Sequence, residues 1–132
     1  MSSELILVVC AANVCRSPLG ELLLRSELQA LGGVRVESAG TRVRGEVPIC
    51  DEVAAHRSGT DWQAGVRDHC ARPVTAQLLA SAALVLAADS EVRADVVTLN
   101  PVMRKRTFTL REAAHLGAEF APVHSEIGRA HV

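Results

Sequence analysis

The segment Cys10-Ala11-Ala12-Asn13-Val14-Cys15-Arg16-Ser17 gathers a thiol, a guanidinium and a hydroxyl into one short stretch of chain. The residues between Cys10 and Arg16 are small or turn-tolerant, so the backbone N–H groups of Ala11, Ala12, Asn13, Val14, Cys15 and Arg16 can converge on one anion. A helix that opens at Ser17-Pro18 would add the positive end of its dipole. Arg16 supplies a planar fork suited to two phosphate oxygens. A helix N-terminus beside a guanidinium favours the thiolate of a cysteine, which is its nucleophilic form. Ser17 can hydrogen-bond that sulfur both before it attacks and as it departs. The chemistry implied is nucleophilic displacement at phosphorus, with Cys10 as nucleophile, Arg16 as clamp and Ser17 as the group that tunes the thiol.

Such a loop must be held between a strand and a helix. Leu5 to Cys10 is almost continuously apolar, as in a strand buried on both faces. After it, Leu19, Leu22, Leu23, Ser26 and Ala30 recur at helical spacing, with Glu21, Arg25 and Glu27 between them. Ser17 suits the N-cap and Pro18 the first turn, and Gly32-Gly33 stops the helix. Val34–Ser38 alternates as a second strand. Pro48 to His56 suggests a short helix, and Gly59–Gly65 reads as loop around the lone Trp62. A helix capped by Thr75 and ending near Ser81 feeds a third strand at Ala83–Ala88, followed by a helical turn over Ser90–Asp95. Arg104-Lys105-Arg106 reads as a solvated turn before a fourth strand, Thr107–Leu110, and a helix from Arg111 to about Leu116. Strands alternating with helices predict an α/β fold. Its core is a small four-stranded parallel sheet with helices on both faces and the phosphate loop after the first strand.

The bulk properties agree. The chain has 132 residues, enough for one domain with one core, and 48% of them are hydrophobic. A net charge of -1 without a clustered basic face argues against nucleic acid as a partner. The apolar run from Leu5 to Val9 is too short to span a bilayer and lacks the flanks of a secretory signal. A cytoplasmic location without membrane association is therefore expected. In a reducing compartment the cysteines at 10, 15, 50 and 70 are expected as thiols. Nothing predicts oligomeric state.

Cys-x5-Arg-Ser at the end of the first strand, followed by Pro18, resembles the low-molecular-weight protein tyrosine phosphatases of bacterial type. Ser38-Ala39-Gly40-Thr41, His69-x-Ala71-Arg72, the strand ending at Asp89, and Phe108-Thr109-Leu110-Arg111-Glu112 resemble further segments in the right order. The resemblance implies hydrolysis of phosphomonoesters, protein phosphotyrosine or a small aryl phosphate, through a phosphocysteine on Cys10 and without metal or other cofactor. It also implies that Asn13 supports the loop by hydrogen bonds, with Ser38 as a partner. By the same resemblance Cys15 would form a disulfide with Cys10 under oxidation; read from the residues alone, it equally suits a small side chain packed under the loop.

Three departures accompany the likeness. Ala12 stands where the family has glycine, a cost of roughly 1–2 kcal/mol if positive φ is needed there. The segment Arg42-Val43-Arg44-Gly45 lacks the aromatic that walls the family's cleft, and the chain has no tyrosine. No aspartate follows Asp95, whereas the family's general acid is an aspartate near the C-terminus, so the general acid is unassigned. Residues 119–132 show no period, and Glu126-Ile127-Gly128-Arg129-Ala130-His131-Val132 matches the translation of a common sequencing adapter. That match implies an artefactual tail on a single domain (residues 1–132) that is incomplete at its C-terminal end.

Asp89, at the end of the third strand, is the one spare candidate for the acid. Cys50 and Cys70 read as free thiols, and the cysteine spacing does not make a zinc site. His69 reads as a hydrogen-bonded structural residue. The competing functions are a thioredoxin-coupled arsenate reductase, which needs further relay cysteines, and a non-catalytic phosphate-binding module.

Overall fold

The computed structural model describes residues 4–120. Leu5, Leu7, Val8 and Val9 bury the first strand, β1 (Glu4–Cys10), on both faces. It pairs in parallel with β2 (Val34–Gly40) on one side and β3 (Leu84–Ala87) on the other. A short β4 (Thr107–Thr109) joins β3, also in parallel, giving the order β2-β1-β3-β4. The expected four-stranded parallel sheet is present, and β1 lies inside it.

The alternation along β1 decides what covers each face. Leu5, Leu7 and Val9 join Leu79, Val85, Val92, Val96 and Met103 in the main core. Those partners come from β3, from α4 (Ala76–Ala80) and α5 (Ser90–Leu99), and from a 3-10 turn over Pro101–Arg106. On the opposite face Val8 meets Gly20 of α1 (Arg16–Leu28). Leu22 of α1 then packs with Ile49, Val53 and Trp62, contributed by α2 (Asp51–Ala54), the segment before it, and α3 (Thr60–Asp68). The chain ends its described part in α6 (Leu110–Phe120). Among the described residues no helix is long and apolar enough to cross a membrane.

Several boundaries differ from expectation for physical reasons. The Gly59–Gly65 stretch is largely helical, because Gly65 answers a packing demand and not a turn. A Cβ there would lie 2.5 Å from Leu22 Cδ2, so glycine lets α3 approach α1. Asp89 caps α5 by accepting from the Val92 amide at 2.9 Å, and the helix runs on to Leu99, past the single turn read from the sequence. Thr75 caps α4 as anticipated, accepting from Leu78 N–H at 3.0 Å. Helix α1 starts at Arg16, one residue before the expected cap Ser17, and carries no side-chain cap. Glu119 and Phe120 belong to α6 and not to an irregular tail. The remainder of that tail, including 126–132, lies outside the described residues.

Candidate active site

The site is assembled where β1 stops. Cys10 stands opposite Gly40 in the β1–β2 register, and the ladder continues past both strand ends. The Thr41 amide donates to Cys10 O at 3.0 Å and the Arg42 amide to Ala11 O at 2.8 Å. A Cβ on Gly40 would sit 2.5 Å from Ala11 O, so only glycine lets the loop lie this close.

Asn13 makes the turn. Its φ is +59°, and it alone among the described non-glycine residues is positive. The strain anticipated at Ala12 is therefore not incurred; it falls on a residue type that tolerates the left-handed region. The loop's carbonyls are taken up from outside: Ala11 O by Arg42, Val14 O by the Cys50 amide at 3.0 Å, and Asn13 O by His69 Nε2–H at 2.8 Å. In a trans peptide the following N–H points the opposite way. The amides of Ala12, Val14 and Cys15 are thereby turned to the loop's other side.

Cys10 is 3% exposed. Its Sγ accepts from the Asn13 amide at 3.2 Å and lies 3.0 Å from Ser17 Oγ. The side chain of Asn13, 0% exposed, fixes the proton directions around it. Its Oδ1 accepts from the Arg72 amide at 3.0 Å, while its Nδ2 donates to Ser17 Oγ at 2.8 Å and Ser38 Oγ at 3.0 Å. Ser38 in turn donates to Glu21, whose carboxylate also pairs with Arg25. Accepting from Asn13 leaves the Ser17 hydroxyl its proton, and against the thiolate form of Cys10 it is Ser17 that donates. Ala39 O, at 3.4 Å, is its more distant alternative. This explains why Ser17 does not cap α1: its hydroxyl faces the thiol.

Arg16 leaves the loop at its rim. Its Nη1 donates to Asp89 Oδ2 at 2.8 Å, and both side chains are about half exposed. The Arg16 guanidinium and the Val92 amide hold the Asp89 carboxyl below the usual carboxylate range. Asp89 is thus favoured by this pair as the ionised carboxylate, against its reading as the spare general acid. It anchors the clamp residue and the start of α5 together.

Cys15 is joined in a disulfide to Cys50, with the two Cα atoms 5.5 Å apart, while Cys10 and Cys70 are free thiols. This overturns two expectations, a Cys10–Cys15 pairing and a free Cys50. The physical reason is the turn into α1. It carries the Cys15 side chain away from Cys10, and the Cys50 amide on Val14 O brings the two half-cystines together.

Cys10, Asn13, Ser17 and Ser38 are brought into one hydrogen-bonded cluster, with Arg16 at its edge. Sequence reasoning missed Glu21 and Arg72. Glu21 read as an exposed helix position, and only its i,i+4 spacing to Arg25 signals otherwise. Arg72 serves twice, its amide donating to Asn13 Oδ1 and its Nε–H to Ser38 O at 3.0 Å, contacts between distant segments that no local pattern reveals.

Comparison with known proteins gives a consistent answer. The sequence profile of the low molecular weight phosphotyrosine protein phosphatase family matches residues 5–119. The low molecular weight protein-tyrosine-phosphatase Etp of Escherichia coli K12 is 39% identical over 102 residues, covering 77% of this chain and 66% of Etp. The chain thus spans about two thirds of the length of that relative. The crystal structure of the Erwinia amylovora tyrosine phosphatase AmsI superposes with a TM-score of 0.67 at 31% identity, covering 81% of this chain and 68% of AmsI. A YwlE mutant from Bacillus subtilis gives a TM-score of 0.72 at 30% identity, covering 84% and 74%.

Proposed function

The chain belongs to the low molecular weight phosphotyrosine protein phosphatase family, and on that premise we propose that it hydrolyses phosphomonoesters, chiefly protein phosphotyrosine, through a phosphocysteine on Cys10. The observation that carries this reading is the buried Cys10 sulfur, held between the Asn13 amide and the Ser17 hydroxyl at the mouth of α1.

In the first step the Cys10 thiolate attacks phosphorus, the S–P bond forms, and the P–O bond breaks with its electron pair on the departing phenolate, which takes a proton from solvent. The amides of Ala11, Ala12, Asn13, Val14, Cys15 and Arg16 cradle the phosphoryl oxygens, and Arg16 clamps two of them. In the second step water attacks phosphorus and gives up a proton to solvent, the S–P bond breaks, inorganic phosphate is released, and the sulfur leaves as thiolate, stabilised by the Ser17 hydroxyl. Asn13 and Ser38 act as positioning residues that hold the loop open. No proton donor is assigned to the leaving oxygen, so turnover rises with the acidity of the phenol released. A cytoplasmic site of action belongs to the same reading.

Steady-state release of p-nitrophenol from p-nitrophenyl phosphate tests it. Turnover is expected in the parent chain and absent in Cys10→Ser; activity that survives the substitution would overturn the mechanism.

A further inference from the structure

We infer that a groove beside the phosphate loop is the subsite for the peptide flanking the phosphorylated residue, selecting an acidic neighbour and an apolar side chain beyond it. This inference rests on the phosphatase reading of Cys10.

The groove has a volume of about 500 Å³ and is lined by Thr41, Arg42, Val74, Asp95, Thr98 and Leu99. Its near end is continuous with the site, because the amides of Thr41 and Arg42 are the ones that hydrogen-bond to Cys10 O and Ala11 O. Its wall is one face of α5, on which Glu91, Asp95 and Thr98 follow at helical spacing. That helix starts beside Asp89, the partner of Arg16. Ten residues of α5 span roughly 15 Å, room for about four residues of extended peptide.

The chemistry of the lining changes along this length. At the loop end the Arg42 side chain is 69% exposed and pairs with Glu91 at 3.7 Å. An ion pair so exposed and so long is readily exchanged for a substrate carboxylate. Exposed Arg44, two residues on, adds a second positive charge to the same segment. Further along, Asp95 disfavours another acid, while Val74 and Leu99 offer apolar surface, Leu99 being 44% exposed. At 0.15 M salt the Debye length is about 8 Å, so only an acid close to the phosphorylated residue senses Arg42. Charge complementarity at one end, apolar surface at the other and continuity with the nucleophile fit a phosphopeptide.

The test is fluorescence anisotropy on the full chain carrying Cys10→Ser, at 0.15 M salt. The probes are phosphotyrosine peptides with Glu next to the phosphotyrosine and Leu two residues beyond, on either side, against peptides with Ala at both places. The Glu/Leu peptide is expected to bind at least about tenfold more tightly in one of the two directions. Arg42→Glu should erase the Glu preference and Leu99→Glu the Leu preference. Both residues are exposed, so circular dichroism should show intact folds. Equal affinities for the two peptides, preferences that survive both substitutions, or no binding at all would overturn the subsite. So would equally tight binding of the unphosphorylated Glu/Leu peptide. A concentration-dependent dimer dissolved by Leu99→Glu would give the groove to a second copy of the chain and overturn it equally. If the preference holds but the parent chain releases no phosphate from the bound peptide, the phosphatase reading fails and the subsite stands. Turnover without preference gives the reverse.

Discussion

Asp89 holds Arg16 with one carboxylate oxygen, at 2.8 Å from Nη1, and caps α5 with the other, at 2.9 Å from the Val92 amide. One side chain therefore ties the guanidinium at the rim of the phosphate loop to the helix that follows β3. Asp89→Asn keeps a capping oxygen and loses the charge. It should lower kcat/KM for p-nitrophenyl phosphate by about tenfold. Asp89→Ala should in addition cost about 1 kcal/mol of stability through the lost cap, which thermal denaturation of the two variants would separate.

The same carboxyl makes a pH prediction. Its folded-state affinity for a proton is lowered by Arg16 and the Val92 amide. Its stabilising contribution is therefore fully present above the ordinary aspartate value of about 3.9 and is lost as pH falls through the lower folded value. Urea unfolding should show the parent chain more stable than Asp89→Asn at pH 7, with the gap closing as pH is taken progressively below the ordinary aspartate value. A gap that persists in acid would contradict the assignment.

Asn13 should be the most costly polar residue of the loop to replace. Asn13→Ala strands the Arg72 amide, Ser17 and Ser38 and leaves a Cβ at φ +59°. A loss of about 2–4 kcal/mol is expected by chemical denaturation. Asn13→Gly removes the same bonds but not the backbone preference, and should be less destabilising by about 1 kcal/mol.

Gly40→Ala tests the close approach of β2 to the loop. The new methyl would meet Ala11 O at 2.5 Å and push the loop from its place. A displacement of about 1 Å at a reacting group can cost about 100-fold in rate, so kcat/KM should fall by that order. Phosphate affinity by titration calorimetry should fall with it.

Reduction of Cys15–Cys50 should destabilise the fold. The two half-cystines are 35 residues apart, and a loop of that length corresponds to about 4 kcal/mol in the chain-entropy picture. Dithiothreitol should shift the urea midpoint of the parent chain downward, and Cys50→Ala should already sit at the lower midpoint and ignore the reagent.

Much of this was legible in the sequence because the signals are local. The thiol, the guanidinium and the hydroxyl of the loop lie within one turn between a run of apolar residues and a helical period. The alternation of strands and helices gave the sheet. What escaped was set by contacts between distant segments. Gly65 looked like a loop residue because its neighbour Leu22 lies on another helix. Only the family resemblance pairs Cys15 with Cys10, and nothing local points to Cys50. Ser17 reads both as a cap and as a partner of the Cys10 sulfur, and the fold keeps only the second role.

The all-parallel order β2-β1-β3-β4 bears also on how the protein comes to be active. No two neighbouring strands are joined by a tight hairpin; Ile6 must find Val36 on one side and Leu84 on the other. Pairings of such sequence separation form late and slowly compared with helices. The carbonyls of Cys10 and Ala11 gain their partners only once β2 has docked. The nucleophile is thus among the last groups of the chain to be put in order, and refolding kinetics followed by activity should lag behind those followed by helix content.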